Sequence, residues 1–203
     1  IEHLEFDTIY HEHLSYLAAQ PMSALCERHG FTLVDAEPVA LHGGSLVFSM
    51  QRGGGGRGPA PRLSALLARE RQSRLTHPET LQAFAGRVGR WKQDFESSIE
   101  GLERSGAVLA GYGAAAKANT LLNFCPGVAK RLHGVLDRSP HKHGLYTPGT
   151  HLQVVDPDGW QANGTSHLLI LAWNFKEEIM RQMRPFAKRG GRFVIPIPQP
   201  EVL

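Results

Sequence analysis

The chain has 203 residues, 41% hydrophobic and 20% charged, the balance of a globular protein with one sizeable core rather than a disordered or membrane-embedded one. Its net charge of +3 comes from basic residues interspersed with acidic ones, which excludes the dense basic stripe of a nucleic-acid binder. No run approaches the roughly 20 apolar residues of a membrane span and no signal peptide opens the chain, so no membrane partner is expected and the cytoplasm is the expected compartment.

The chain opens on Ile1 with no cap or targeting logic and is expected to begin inside a larger protein. From Pro21 to His29, Met22, Leu25 and Cys26 recur at helical spacing and Gly30 is placed to end the helix. Phe31 to Val39 and Leu46 to Met50 read as two strands joined through His42-Gly43-Gly44, a hairpin. Gly53 to Pro61 is too rich in glycine and proline to hold a helix and is expected to be a linker. Leu63, Leu66 and Leu67 mark a short helix. A long one starts at Pro78, its stripe of Leu81, Phe84, Val88, Trp91, Phe95, Ile99 and Leu102 repeating at steps of three and four as a packing face.

Beyond Gly106 the pattern becomes strand, glycine turn, helix, strand. Ala107 to Ala110 predicts a strand, Gly111-Tyr112-Gly113 a turn, Ala114 to Phe124 a helix closed by Pro126-Gly127, and Leu132 to Leu136 a strand ending on Asp137. Further strands are expected at Leu152 to Val155, Leu168 to Ala172 and Arg192 to Ile197, with a helix from Phe175 to Lys188 kinked by Pro185. The fold class is therefore α/β, a Rossmann-like, mostly parallel sheet with flanking helices, preceded by a helix and a β-hairpin.

Gly111-Tyr112-Gly113-Ala114-Ala115-Ala116 has the form of a phosphate-binding turn, in which glycine lets the backbone approach a pyrophosphate at a helix N-terminus. Lys117 adds a cation, and Asp137 stands where an acidic side chain could accept from a ribose or sugar hydroxyl. The motif alone does not separate NAD from a nucleotide diphosphate sugar, nor either from a turn that only permits close packing. Tyr10-His11-Glu12-His13 holds the parts an enolising enzyme needs: an imidazole base, a hydroxyl donor for the oxyanion and a carboxylate. Solvated polar residues and a His-x-His metal pair compete with that reading, although no third ligand stands at convincing spacing. His42-Gly43-Gly44 is a ligand approach or a hairpin turn. The loops Tyr146 to Thr150 and Trp173-Asn174 follow strands, where open α/β sheets bind ligands. Cys26 and Cys125 lack metal-ligand spacing and are expected to be reduced thiols packed as apolar groups.

In order, Phe6-Asp7-Thr8-Ile9-Tyr10-His11-Glu12-His13, His42-Gly43-Gly44, Gly111 to Lys117, Thr147-Pro148-Gly149 and Ala172-Trp173-Asn174 resemble the S-adenosylmethionine-dependent sugar C-methyltransferases, including those that methylate carbon 3 of nucleotide-linked 4-keto-deoxysugars. The resemblance implies a zinc-binding N-terminal domain and a methyl-donor domain upstream. On that scheme residues 1–52 are the end of the donor domain, 53–61 the linker, and 62–203 the Rossmann-like nucleotide-sugar-binding domain. It implies S-adenosylmethionine bound mainly by the missing domain, zinc only in the missing N-terminal domain, and no metal here. His13 is implied as base, with Tyr10 and Glu12 assisting. Sugar-nucleotide contacts are implied for Gly111, Tyr112, Gly113, Lys117, Asn123, Pro148 and Gly149, and also for His42 and Asn174. Such a fragment would bind a nucleotide diphosphate sugar without methylating it. The alternatives are an NAD-dependent oxidoreductase and a non-catalytic module docking through the long helix; monomer and dimer are both open.

Overall fold

The computed structural model describes residues 1–40, 44–53, 58–160 and 164–203. They pack as two compact units, Leu14–Ala85 and Ile1–His13 with Gly86–Leu203.

In the smaller unit, α1 (Ala19–Arg28) is followed by Gly30 with φ +72°, the left-handed stop expected of a glycine there. Strands β1 (Phe31–Val39) and β2 (Ser45–Arg52) pair antiparallel from Phe31 opposite Arg52 to Val39 opposite Ser45. Helix α2 (Pro61–Gln72) starts on a proline, whose missing N–H costs nothing in the first turn. Ala19, Cys26, Leu33, Ala36 and Leu63 form the core. α1 has no capping side chain next to it in sequence; instead Glu70 of α2, buried, accepts from the Ala19 and Gln20 amides at 2.7 and 2.8 Å. Arg62 forks onto Asp35 and Glu37, and its hydrogen bonds hold the Asp35 carboxyl below the usual carboxylate range. The division between units falls within α3 (Pro78–Arg104).

The larger unit contains β3 (Leu109–Tyr112), α4 (Ala116–Phe124), α5 (Pro126–Ala129), β4 (Leu132–Leu136), β5 (Val154–Val155), β6 (His167–Ile170), α6 (Lys176–Gln182), α7 (Arg184–Lys188), β7 (Arg192–Ile195) and β8 (Glu201–Val202). The sheet order is β5-β4-β3-β6-β7-β8, parallel except for β8. Chain order runs outward both ways from β3 and β6, so the loops after these two strands diverge and open a crevice at the carboxyl edge. One face of the sheet buries Ala110, Tyr112, Leu136, Ile170, Ile179, Phe186 and Phe193. Val88, Trp91, Phe95 and Ile99 of α3 are buried, and the Trp91 indole donates to the Pro196 carbonyl at 2.9 Å.

The α/β architecture matches the expectation; several local features differ. Gly111 and Tyr112 belong to β3, and the turn begins at Gly113. Glycine is required at 111 by packing, since a Cβ would stand 2.7 Å from Leu171 Cδ1 and 3.3 Å from Val135 Cγ2. Pro126-Gly127 opens α5 rather than closing α4. Pro185 divides the expected helix in two, because the chain turns at Met183 and a new first turn accommodates the proline. Leu81, assigned to the packing stripe, is exposed. By packing, residues 62–85 group with the hairpin in the smaller unit and Ile1–His13 group with the larger one.

Candidate functional site

The segment before His13 is held to the larger unit by two side chains of a 3-10 turn, Phe6–Thr8. Phe6 packs between the rings of Trp91 and Phe124, centroids 4.9 and 5.1 Å away. Asp7 is fully buried; its Oδ2 accepts from the Trp173 indole N–H at 2.6 Å, while Oδ1 has no hydrogen-bond partner. Burial pushes this carboxyl above the usual range, against the pull of the Trp173 bond and of Lys117, whose Nζ lies 4.4 Å from the Trp173 ring centre. The Thr8 carbonyl next in the chain faces His13 Nδ1 at 2.7 Å and also accepts from the Tyr10 amide at 3.1 Å. A carbonyl oxygen only accepts, so in this contact Nδ1 is the nitrogen that carries a proton. The half-buried Tyr10 packs its ring 4.2 Å from that of exposed His13. Glu12 and His11 are exposed.

At the carboxyl end of β3 the chain turns at Gly113, φ +97°, where a Cβ would stand 2.8 Å from that of Ala172. The Ala114 amide donates to Asp137 Oδ2 at 2.8 Å, and the Ser139 amide to Oδ1 at 2.8 Å. Lys142 Nζ donates to both Asp137 Oδ2 and the Ala114 carbonyl, at 3.1 and 2.8 Å. The Asp137 carboxylate is thus committed to fixing the turn. No side chain caps the N-terminus of α4.

Asn123 donates through Nδ2 to the Asn119 and Pro148 carbonyls at 2.8 and 3.0 Å. A Cβ on Gly149, φ +77°, would collide with the Asn123 amide, so this pair fixes the loop after β4 on the end of α4. Asn174 and Asn119 each bury a side-chain oxygen that lacks a partner. His42 lies outside the described residues.

A cleft of about 440 Å³ is lined by Tyr112, Arg138, His143, Asp156, Asp158 and Gln182. Through Tyr112, Arg138 and Gln182 it joins a more open depression beside Gly113, Asp137 and Ala172. The Tyr112 hydroxyl donates to Gln182 Oε1 at 3.2 Å, and burial raises its pKa. The structure thus gathers Tyr10 with His13, Lys117 with Trp173, and Asn123 with Pro148 and Gly149. Sequence reasoning missed the Asp7–Trp173 bond, the Thr8 carbonyl, Lys142 and the cleft's Arg138 and His143. A main-chain acceptor leaves no sequence signal, and a contact across 166 residues has no periodicity. Among the described residues no three His, Cys, Asp or Glu side chains converge as a metal set, and no helix is long and apolar enough to cross a membrane.

An α/β unit with a glycine turn beside a strand-order switch belongs to the broad class of Rossmann-like domains. Within that class the chain belongs to a specific family: residues 40–198 match the C-methyltransferase C-terminal domain. It is 32% identical over 199 residues to the C-methyltransferase NovU of Streptomyces niveus, a match covering 98% of this chain and 47% of that protein. The chain thus spans about half the length of the curated relative it matches.

Proposed function

We propose that this chain supplies the substrate-binding and proton-abstracting part of a C-methyltransferase acting on a nucleotide-linked keto-deoxysugar, with His13 as base. The observation that carries this reading is the Thr8 carbonyl facing His13 Nδ1. It fixes the tautomer in which Nε2 can take the proton beside a sugar keto group, the task a carboxylate performs in many active sites. Tyr10, its ring tilted against the imidazole, supplies a hydroxyl toward the developing enolate oxygen, and Glu12 reaches the sugar. Lys117, whose Nζ lies over the Trp173 ring, is the cation for the diphosphate, and Asn174 is a further contact to the sugar nucleotide. The enolate carbon is then nucleophilic toward a methyl donor.

S-adenosylmethionine would supply the electrophilic methyl group, but the described residues do not fit it. The Gly113 turn after β3 is crowded by Ala172, and its Ala114 amide is taken by Asp137. We therefore assign the donor, and any zinc, to other parts of a longer protein, and expect this chain alone to bind sugar nucleotide without methylating it. The commitment of Asp137 to the turn also removes the residue that favoured an NAD-dependent oxidoreductase. Calorimetry of the chain with a dTDP-linked 4-keto-6-deoxysugar should show binding; no binding by any sugar nucleotide, with circular dichroism unchanged, overturns the reading. In a full-length methyltransferase carrying this chain, His13→Asn should suppress solvent exchange of the sugar proton beside the ketone.

A further inference from the structure

Resting on His13 as base, we infer that Trp173 and Asp7 are positioning residues: the indole-to-carboxyl bond holds the turn whose Thr8 carbonyl sets the His13 tautomer, so the loop after β6 aligns the base. The Ile1–His13 segment has no strand of its own and one 3-10 turn; its backbone–backbone hydrogen bonds, such as Ile9 N–H to the Phe6 carbonyl and His13 N–H to the Tyr10 carbonyl, run within the segment, so its attachment to neighbouring elements falls to side chains. Phe6 anchors it by ring packing, which is weakly directional. The 2.6 Å bond between Trp173 Nε1 and Asp7 Oδ2 is directional and shielded from water, because Asp7 is fully buried. Thr8 follows Asp7 directly in the chain. Its hydroxyl donates to the Glu5 carbonyl at 2.8 Å, leaving its carbonyl oxygen for the Tyr10 amide and His13 Nδ1. The linkage therefore runs indole, carboxyl, one peptide, carbonyl, imidazole.

Its far end lies where the chain leaves β6 at the crevice. Lys117 of α4 rests on the face of the Trp173 ring whose edge carries the donating N–H. The indole thus meets the α4 cation with its face and Asp7 with its edge. Asp7 is fully buried and makes one side-chain hydrogen bond, to Trp173, while its second oxygen is buried without a hydrogen-bond partner, so its part in this linkage is to hold the indole.

The test uses the 203-residue chain with labelled histidine, reading the His13 tautomer by imidazole nitrogen chemical shifts above the imidazole pKa. The unsubstituted chain should show Nδ1–H dominant and a Trp173 indole proton protected from exchange. Trp173→Phe keeps an aromatic ring under Lys117 and removes the donor; His13 should then shift to the mixed tautomers of a free histidine. Asp7→Leu should do the same, whereas Asp7→Asn, which keeps an oxygen acceptor, should retain Nδ1–H. In a full-length enzyme, Trp173→Phe should slow substrate proton exchange by about ten- to a hundredfold, a larger factor than any change in sugar-nucleotide affinity. An unchanged tautomer in folded Trp173→Phe, or a freely exchanging indole proton in the unsubstituted chain, overturns the inference. If the tautomer is lost while proton exchange persists, the linkage stands and it is His13 as base that fails.

Discussion

Three glycines separate two costs that are usually confounded. At Gly144, φ +79°, a methyl group would meet nothing within 4 Å, so Gly144→Ala isolates the left-handed backbone penalty, about 1–2 kcal/mol. Gly111 has no positive φ but would bring a Cβ within 2.7 Å of Leu171 Cδ1, so Gly111→Ala isolates overpacking, about 1–3 kcal/mol. Gly113 carries both, with φ +97° and its Cβ 2.8 Å from Ala172 Cβ and 3.3 Å from the Ala172 amide nitrogen. Gly113→Ala should therefore cost about 2–5 kcal/mol, close to the sum of the other two. Urea unfolding followed by tryptophan fluorescence is the assay. All three tryptophans, Trp91, Trp160 and Trp173, lie in the larger unit, so the signal reports the unit that holds these glycines. A Gly113→Ala variant no less stable than Gly144→Ala would refute the reasoning, because the close approach to Ala172 would then count for nothing.

Asp7 gives a pH prediction. Its folded pKa is raised, so the folded chain holds the proton more tightly than the unfolded one, and its contribution to stability falls as pH rises from the ordinary carboxylate value through the raised one. Asp7→Asn should remove that slope, and unfolding curves across pH 4 to 8, flatter for the variant, would check it. Asp35 has the opposite sign: its pKa is lowered, so its contribution is present above the ordinary carboxylate pKa and lost as pH falls through the folded value, a loss that Arg62→Met should abolish in acid titration. Burial pushes the Cys125 thiol up to about 12, so it should stay unmodified by a thiol reagent at pH 8 until the chain unfolds, as timed mass spectrometry would show. Trp91→Phe removes the donor to the buried-side Pro196 carbonyl and should cost about 1–3 kcal/mol by urea unfolding.

The elements legible in the sequence were those with a strong period or a strong breaker. The α3 stripe shows in Val88, Trp91, Phe95 and Ile99, all buried, and fails at exposed Leu81, where helical spacing continues although no core lies beneath it. The short β8 went unseen because two residues carry no period. At the candidate site, residue types were readable while their partners were not. Gly113 drew attention as a phosphate turn, yet its nearest neighbour is Ala172, 59 positions on in the chain. Asp137 suggested a ribose acceptor because a motif records position; only coordinates show both oxygens already taken by Ala114, Ser139 and Lys142. Asn123 suggested a ligand contact, and the structure gives its amide to the Asn119 and Pro148 carbonyls.

Glu70 reaches back some fifty residues to cap α1. A helix of 10 residues is marginal on its own, and this one has no local cap, so its first turn is completed only when α2 is in place. A chain cut between β2 and α2 would put the helix and its cap on separate fragments. Nicked protein should thus lose α1 and the hairpin together, so chain continuity from the hairpin to α2 is itself a source of this unit's stability.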